Sequence, residues 1–302
     1  MTWFEKLCEF AGLEQPIREP TPVSGGLLHR MFRLDTTSGT YAVKLLNPEI
    51  MARPDAMDNY RRAEELETLL EKQGLPLLTA LTVAGQKMMR LDEGQYAYLF
   101  PWYEGRIIRG AAVTARHAAA VGTALAGIHA AAQRERKTTP EPLIVDWDAL
   151  LPACPRLLPQ RDLLLSLTDR SNEAQRRLPA EETVCHNDLD TKNVLWQGED
   201  FRVIDLETLD WGCPAAELLE TALYWSGIEE HRIDTARFDA FVGAYRAAGG
   251  KLPRDWAALL DSDQGRLGWL AWVLKQGDAA QAEDTMARIL CAEAFRAHLL
   301  QL

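Results

Sequence analysis

Three polar side chains near the middle of the chain have the types and spacing that phosphoryl transfer requires. The segment 184–196 reads V-C-H-N-D-L-D-T-K-N-V-L-W and contains the pattern His186-x-Asp188-x-x-x-x-Asn193. An apolar run at 201–204 follows and leads into Asp205. In enzymatic phosphoryl transfer, one Asp accepts the proton of the attacking hydroxyl, while an Asn and a later Asp hold the magnesium ions. The spacing supplies a residue for each of these roles.

The alternative for this segment is a loop whose Asp and Asn residues only form turns, as these residue types commonly do. Any one of the residues alone would fit that alternative. The ordered set of His186, Asp188, Asn193 and the later Asp205 is more specific and favours a catalytic loop. Mg²⁺ prefers oxygen ligands and keeps several waters, so one amide and one carboxylate beside nucleotide phosphates suffice.

Composition limits the class of protein. The chain has 302 residues, of which 47% are hydrophobic and 25% are charged, as expected of a soluble globular protein with one large or two modest domains. The formal net charge is -11, and no run of Lys and Arg is present, which argues against a nucleic-acid partner. A small cationic substrate fits this charge better.

Cysteine usage and the N-terminal segment indicate the cellular compartment. The five cysteines are scattered and show no C-x-x-C spacing, which favours a reducing environment over a disulfide framework. Residues 1–6 lack the basic-then-apolar layout of a secretory signal. No apolar stretch is long enough to span a bilayer. We therefore expect a cytoplasmic protein without a membrane partner, and the sequence does not predict its oligomeric state.

The N-terminal part is expected to form strands around a buried lysine. After an amphipathic helix at 2–13, Gly25 and Gly26 lie between two strand-like runs and predict a hairpin. Such glycines let backbone N–H groups approach phosphate, or they only form the turn. In the strand 40–46, Lys44 has apolar neighbours, so its amine either reaches the sheet edge or meets phosphate and a carboxylate.

A helix that starts at Asp55 or Asp58 and runs to Gln73 carries three candidate partners for Lys44. Its apolar stripe includes Tyr60 and Leu70, and Gly74 ends it. Glu67 lies nearest the stripe, and Glu64 and Glu65 lie further round, so periodicity alone does not choose among the three. All three could equally be solvated surface charges.

The rest of the chain predicts an α+β protein with two lobes. Strands are expected at 81–89 and 96–100, and the Pro- and Gly-bracketed segment 101–105 is interpreted as a hinge between an N-terminal lobe 1–100 and a C-terminal lobe 106–302. Beyond the hinge we expect helices at 114–132, 161–177, 214–225, 234–248 and from 255 onward, the last interrupted near Gly277. His129 is expected to be a hydrogen-bonded helix-end histidine.

These features together resemble the aminoglycoside phosphotransferase/choline kinase family, whose members are small-molecule kinases of the protein-kinase-like fold. The resemblance extends over nearly the whole chain. It rests on Ser24-Gly25-Gly26, Ala42-Val43-Lys44, Gly74-Leu75-Pro76, Glu104-Gly105, the segment L-A-G-I-H at 125–129, the catalytic pattern from His186 to Asn193, Ile204-Asp205-Leu206-Glu207, and G-C-P-A-A-E at 212–217, with Glu217 where the family usually has Asp.

The resemblance implies ATP-dependent transfer of the γ-phosphate, with Mg²⁺, to a hydroxyl of a small molecule. It implies an N-terminal antiparallel sheet lobe that binds nucleotide and a larger, mostly helical lobe that binds the acceptor. Asp188 is then the catalytic base, and Asn193 and Asp205 are the metal ligands. Lys44 contacts the α- and β-phosphates, and Glu64 is its best-spaced partner. The remaining nucleotide contacts fall on Ser24, Gly25, Gly26, Phe100 and Trp102.

Two departures from the family pattern bear on function. Leu28-His29 stands where the family often has Ser-Asn, and Asn187 stands where many relatives have Gly. His-Asn-Asp is closer to choline and ethanolamine kinases, which points to an amino-alcohol acceptor. Together with the acidic balance, this suggests a cationic acceptor. The residues expected to hold it are Glu207, Asp210, Trp211 and Glu220, although Glu220 could be a solvated helix residue and Asp210 a helix cap.

Two other classes compete with a small-molecule kinase. A pseudokinase or nucleotide-binding regulatory module would lose a metal or base residue, but Asp188, Asn193, Asp205 and Lys44 are all present. A protein kinase would carry D-F-G and a later A-P-E, whereas this chain has Asp205-Leu206-Glu207 and no A-P-E. Aminoglycosides, choline or ethanolamine, thiamine and homoserine all stay open as acceptors.

Overall fold

The computed structural model describes residues 2–23, 29–136 and 140–302. The chain forms two compact units. The first unit comprises Met1–Ile107 and Asn193–Leu209, and the second comprises Ile108–Lys192 and Asp210–Leu302. Because Asn193–Leu209 belongs to the first unit, the division does not follow a single chain position. The sequence division at 101–105 had assigned that segment to the C-terminal lobe, and the hinge itself stays a prediction.

A five-stranded antiparallel sheet forms the frame of the first unit. Its strand order is β1-β2-β3-β5-β4, and the alternation of apolar residues along β2 and β3 turns one face to the core. The strands are β1 (Thr21–Val23), β2 (Arg30–Thr36), β3 (Gly39–Leu45), β4 (Met89–Asp92) and β5 (Gln95–Pro101).

The predicted strand at 81–89 is wrong over most of its length. Only Met89 belongs to a strand, the first residue of β4. Ala84 and Gly85 both have positive φ angles, of 48° and 84°. They form a tight turn in which Val83 and Gln86 exchange backbone hydrogen bonds. This left-handed backbone interrupts the extended chain, so the apolar residues before it cannot continue as a strand.

Three helices lie among the described residues of the first unit, and side-chain caps start the first two of them. They are α1 (Trp3–Ala11), α2 (Pro48–Met51) and α3 (Ala56–Glu71). Thr2 caps α1 in a capping box with Glu5, and Gly12 ends it in the left-handed conformation. The expected stripe of α3 is buried at Tyr60, Ala63, Leu66 and Leu70.

The remaining strands form two small sheets. They are β6 (Gln133–Glu135), β7 (Glu181–Cys185), β8 (Val194–Gln197), β9 (Asp200–Val203) and β10 (Asp210–Gly212). The β8–β9 hairpin belongs to the first unit, where the Val203 N–H donates to the carbonyl oxygen of Pro76 and the Leu78 N–H donates to that of Val203. In the second unit the antiparallel sheet has the order β10-β7-β6.

Helices make up most of the second unit. They are α4 (Ala115–Ala130), α5 (Trp147–Leu150), α6 (Arg161–Arg177), α7 (Pro214–Ser226), α8 (Thr235–Ala247), α9 (Trp256–Asp261), α10 (Gln264–Gln276) and α11 (Ala279–Leu299). The helices predicted from periodicity are present. The segment after 255 has a second interruption before α10, because Asp263 accepts the N–H of Arg266 and starts a new helix.

Helix α4 packs directly on α8, and a glycine permits the close approach. A Cβ placed on Gly122 would lie 2.4 Å from the carbonyl oxygen of Phe241. The buried cluster nearby includes Leu125, Phe238 and Phe241. A second core joins α5, α6, α10 and α11 around Trp147, Leu164, Leu270 and Met286. The sheet of the first unit and the helices of the second make an α+β protein, as predicted.

Candidate active site

The β8–β9 hairpin brings the two predicted metal ligands to one end of a single element. In its register Val194 pairs with Val203, so Asn193 and Asp205 flank its open end. The Ile204 N–H donates to the carbonyl oxygen of Asn193 at 2.9 Å. Both side chains offer oxygen atoms, which are the donors that Mg²⁺ prefers. The donor set therefore fits the ion expected from the sequence.

Asp205 has an unusual backbone conformation. Its φ and ψ angles are 66° and 46°, in the left-handed region, which costs an ordinary L-residue roughly 1–2 kcal/mol. A 3₁₀ turn, Leu206–Thr208, follows, and the Thr208 hydroxyl donates to the carbonyl oxygen of Asp205 at 3.2 Å. Strained backbone of this kind clusters at functional sites. The turn directs the side chains of Asp205 and Glu207 toward Lys44.

Lys44 is buried in β3, between Met31 of β2 and Tyr98 of β5, with 8% of its surface exposed. Its amine bonds the carboxylates of Asp205 and Glu207. Burial alone would lower the pKa of Lys44, but these two carboxylates outweigh burial and raise the pKa. The lysine is therefore held as a cation.

The Glu64 partner expected for Lys44 is not the one that the structure contains. One carboxylate oxygen of Glu64 accepts the Tyr98 hydroxyl at 2.8 Å and the Met88 N–H at 3.1 Å. Glu67 accepts the Ala80 N–H at 2.7 Å and pairs with Lys87 at 3.1 Å. Both helix glutamates thus fasten α3 to the chain around β4 and β5. Helical periodicity could not reveal this, because these partners lie far away in sequence.

Of the other predicted nucleotide contacts, Phe100 and Trp102 lie among the described residues. Ser24, Gly25 and Gly26 lie outside the described residues. Phe100 lies in β5, one residue before its end, and its ring centre is 6.2 Å from that of Tyr98. The Trp102 N–H donates to the carbonyl oxygen of Thr40, its indole N–H donates to Glu104, and the Arg33 guanidinium lies 4.7 Å from its ring centre.

In the second unit, β7 delivers the catalytic pattern. His186 is fully buried, and Asn187 has a left-handed backbone with φ of 63°. The Lys192 amine bonds Asp188 at 3.0 Å and the buried Asp190 at 2.5 Å. Burial would lower the pKa of Lys192, but Asp190 and Asp188 raise it, so a cation stays beside the predicted base.

Lys192 and Asp190 were not predicted as site residues. The signal available in the sequence was a basic residue four positions after Asp188, between the predicted base and Asn193. The Asp190 carboxylate also accepts the Lys192 N–H at 2.8 Å and so shapes the loop. Its own pKa is raised because burial outweighs the attraction of Lys192.

Glu217 of α7 anchors the same loop. Its carboxylate accepts the Asn187 N–H at 2.5 Å and bonds His129 Nε2 at 2.7 Å. His129 Nδ1 in turn lies 2.8 Å from the Tyr245 hydroxyl of α8. Burial alone would raise the pKa of Glu217, but the hydrogen bonds from His129 and Asn187 lower it. The prediction that His129 is a hydrogen-bonded structural histidine is confirmed.

His129, Cys185 and Glu217 form a buried group of three potential metal ligands. Two ligands of one tetrahedral Zn²⁺ would lie about 3.3 Å apart, given Zn–N and Zn–O bonds of about 2.0–2.1 Å. The His129 and Glu217 atoms are 2.7 Å apart, which is a hydrogen-bond distance. Burial and the Glu217 charge raise the pKa of the Cys185 thiol well above its usual range. The group is a hydrogen-bonded anchor.

The predicted acceptor residues separate into different surroundings. Glu207 is engaged by Lys44, and its other oxygen lies 3.2 Å from His29 Nε2. Asp210 of β10 pairs in register with Cys185, the residue before the catalytic pattern, and accepts the Trp211 N–H. The Arg134 guanidinium covers the Trp211 ring at 4.6 Å.

Glu220 lies in a charged region of the second unit. The charged groups that influence the pKa of Glu220 are Asp263, Arg266, Glu217 and Asp188. Burial and the Asp263 carboxylate raise the pKa of Glu220 to about 7. Arg266 is buried, pairs with Asp263 and lies 6.0 Å from the Tyr224 ring centre.

Three tryptophans of the second unit differ in exposure. Trp225 is fully buried, and its indole N–H donates to the carbonyl oxygen of Leu189 at 3.0 Å, so it belongs to the core. Trp269 and Trp272 are about half exposed and stack on each other at 4.8 Å between ring centres.

Solved structures similar to this chain match it over nearly its whole length. A spectinomycin phosphotransferase, bound to ADP and spectinomycin, is 14% identical, with 97% of this chain and 92% of that chain covered and a TM-score of 0.65. A microcompartment-associated aminopropanol kinase is 13% identical, with 98% and 97% covered and a TM-score of 0.64. An ethanolamine kinase of Plasmodium vivax is 15% identical, with 92% and 83% covered and a TM-score of 0.60. No curated protein sequence matches the chain significantly.

These likenesses confirm the two-lobed protein-kinase-like fold, with an antiparallel sheet in the N-terminal part and helices in the C-terminal part. The model of the phosphotransferase enzyme family matches residues 19–262. The chain therefore belongs to this family of phosphotransferase enzymes. Among the described residues, no helix has both the length and the apolar content needed to cross a bilayer.

Proposed function

We propose that this protein transfers the γ-phosphate of ATP to a hydroxyl group of a small molecule that carries positive charge. The observation that carries the proposal is Lys44, a buried cation on a strand of the antiparallel sheet, bonded to Asp205 and Glu207. A buried lysine paired with carboxylates in this position is a recurring part of kinase nucleotide sites. Family membership supports the same reaction class.

Each catalytic role has a residue of suitable chemistry. Asp188 accepts the proton of the acceptor hydroxyl, and Lys44 binds the α- and β-phosphates. Asn193 and Asp205 would hold Mg²⁺, which supplies neutralisation of the phosphate charge when bound. Ser24, Gly25, Gly26, Phe100 and Trp102 are the further nucleotide contacts that we propose. Since cells keep ATP and reduced thiols together in the cytoplasm, we propose that location.

The acceptor is proposed to be cationic, with Glu220 as the main carboxylate that attracts it. Glu220 interacts electrostatically with the proposed base Asp188, and Asp263 adds negative charge beside it. Two of the similar structures are named as kinases of amino alcohols, aminopropanol and ethanolamine. The net charge of -11 also favours attraction of a cation.

A catalytically weak nucleotide-binding module is the alternative. It requires the loss of a base or metal residue, and this chain retains Asp188, Asn193, Asp205 and Lys44. The two hypotheses differ in one observable: both bind nucleotide, but only the kinase consumes ATP in an acceptor-dependent way.

The test is a screen of the purified protein for ADP formation with Mg-ATP and a panel of amino alcohols, aminoglycosides and vitamins. We expect at least one cationic acceptor to raise ADP formation well above the rate with ATP alone. The Asp188→Asn variant is the matched control for contaminating kinases. If only neutral or anionic acceptors are phosphorylated, the cationic class is wrong while the kinase class stands. If no acceptor raises ADP formation, the regulatory module is favoured.

A further inference from the structure

Because the Lys44 amine is buried, it needs a negatively charged partner. A buried ammonium group is costly unless a carboxylate or phosphate pairs with it. In this chain two carboxylates on one short turn, Asp205 and Glu207, meet the Lys44 amine. Asp205 is also the proposed metal ligand. Glu207 is therefore the carboxylate left to hold Lys44 when Asp205 is committed to the ion.

Glu64 is committed elsewhere. The Tyr98 hydroxyl and the Met88 N–H, at 2.8 Å and 3.1 Å, occupy the same carboxylate oxygen. Burial and the neighbouring Glu64 carboxylate raise the pKa of Tyr98, so its hydroxyl stays protonated and able to donate. Moving Glu64 to Lys44 would leave the Met88 N–H and the Tyr98 hydroxyl without that acceptor, which is unfavourable for donors that are shielded from water.

The buried side chain of His29 lies beside Glu207. The Asn47 N–H donates to His29 Nδ1 at 3.0 Å, so in the neutral imidazole the proton lies on Nε2. That nitrogen lies 3.2 Å from Glu207 Oε1 and 3.0 Å from the Tyr60 hydroxyl. His29 is buried, so water does not compete strongly for these two contacts. One Glu207 oxygen thus faces His29, and the other faces Lys44.

We propose that Glu207, rather than Glu64, is the carboxylate that holds Lys44 for nucleotide binding in this chain, and that His29 is a positioning residue that orients Glu207. This inference rests on the proposed nucleotide site. It also gives a purpose to the Leu28-His29 departure from the family pattern, since an asparagine at position 29 is too short to donate from the place of Nε2.

The first test is calorimetric titration of the purified protein with the magnesium complex of a non-hydrolysable ATP analogue. We expect Glu207→Gln to weaken binding by about tenfold or more, because a charged hydrogen-bond partner of Lys44 is lost. Glu64→Gln should stay within about threefold of the parent, as should the exposed control Glu65→Gln. If Glu64→Gln weakens binding of the analogue and Glu207→Gln does not, the assignment of Glu207 as the partner of Lys44 is overturned.

The second test separates orientation of Glu207 from a merely structural role of His29. In His29→Gln, the longer amide can donate to Glu207 from the place of Nε2. In His29→Asn, the shorter amide reaches only the place of Nδ1, where it accepts the Asn47 N–H. We expect His29→Gln to retain nucleotide affinity within about threefold, and His29→Asn to lose about as much as Glu207→Gln. If His29→Asn binds as the parent does and His29→Gln does not, only the bond to Asn47 matters and the positioning role is wrong.

A third measurement requires no nucleotide. Denaturant unfolding of His29→Asn, Glu207→Gln and the double variant forms a double-mutant cycle, and we expect clear non-additivity. The matched cycle of His29→Asn with Glu64→Gln should be additive. Additivity in the first cycle overturns the His29–Glu207 contact. If the parent protein binds no nucleotide at all, the proposed function fails and the role of Glu207 fails with it, while the cycle still decides the contact.

Discussion

At the scale of single residues, the proposed chemistry depends most on Asp188. Its carboxylate acts on the acceptor hydroxyl and not on ATP, so the two substrates should respond differently to its loss. We expect Asp188→Asn to reduce turnover by roughly 10²- to 10⁴-fold, the usual size of general-base catalysis. Nucleotide affinity, measured by calorimetry, should stay within about threefold of the parent. Equal turnover of variant and parent at saturating substrates would remove Asp188 from the mechanism.

Glu220 predicts a pH dependence of acceptor binding. Its pKa is raised to about 7, so the carboxyl is neutral below that pH and ionised above it. The KM for a quaternary-ammonium acceptor, whose charge does not titrate, should therefore fall between pH 6 and pH 8. Glu220→Gln should flatten this profile, and a neutral alcohol should show no such fall. A KM profile of Glu220→Gln that parallels the parent would exclude Glu220 as the acceptor carboxylate.

The same raised pKa predicts that the Glu220 contribution to stability falls as pH rises, whereas acceptor binding improves. A carboxyl whose pKa is higher in the folded protein than in the unfolded chain favours folding while it is protonated, and that contribution is lost as pH rises through about 7. Glu220→Gln removes this loss. The Tm of the variant relative to the parent should therefore be higher at pH 8 than at pH 6. A Tm difference that is independent of pH would mean that the Glu220 pKa is not raised.

The sequence predicted that Lys44 needs a carboxylate partner but not which carboxylate it is. Burial of Lys44 and its need for a carboxylate followed from its apolar strand neighbours, and the structure agrees. The choice of carboxylate did not follow, because Glu207 is 163 positions away along the chain. Lys192 was missed for a different reason: its contact with Asp188 depends on the local turn, which composition does not specify.

At the scale of elements, the catalytic loop is fastened to three helices. Glu217 of α7 joins the Asn187 N–H to His129 of α4, and Tyr245 of α8 completes the chain of bonds. We expect Glu217→Gln to lower the free energy of unfolding by about 1.5–3 kcal/mol, the range for hydrogen bonds to charged groups. Denaturant unfolding measures this directly.

Glu173, on the exposed surface of α6, provides the matched control. Glu173→Gln should leave the free energy of unfolding nearly unchanged, because exposed ion pairs contribute little to stability. Equal effects of the two substitutions would show that Glu217 is not an anchor of the loop.

Helices and strands could be predicted wherever the spacing of nearby residues determines them. Helices α4, α6, α7 and α8 follow from apolar periodicity, and their ends agree with prediction to within about two residues, the ordinary uncertainty of helix ends. The segment before β4 did not follow, because the left-handed turn at Ala84 and Gly85 overrides the strand-forming tendency of its neighbours. The break before α10 depends on a single cap at Asp263.

At the scale of the whole molecule, the assignment of Asn193–Leu209 to the first unit could not be inferred from sequence. That segment directly follows the loop that carries Asp188, but its hairpin bonds to residues far earlier in the chain, such as Arg106 with Trp196 and Pro76 with Val203. Domain boundaries inferred along the chain cannot anticipate such long-range pairing.

The net charge of -11 predicts how salt affects acceptor binding. Attraction between partly exposed charges weakens as the Debye length falls from about 10 Å at 0.1 M salt to about 3 Å at 1 M. The KM for a cationic acceptor should therefore rise with salt, whereas the KM for a neutral alcohol should change little. A KM for the cationic acceptor that stays constant over this range would contradict electrostatic recognition by the protein.

Phosphorus NMR of the purified protein with Mg-ATP and the acceptor panel tests the central claim most directly. The account predicts a new phosphate-monoester resonance that grows in equal amount with ADP for a cationic alcohol, and its near disappearance with Asp188→Asn. Binding of nucleotide without any monoester from the panel would contradict phosphotransfer and identify a regulatory module instead. Release of inorganic phosphate alone, at a rate independent of acceptor, would contradict the assignment of an alcohol as the acceptor.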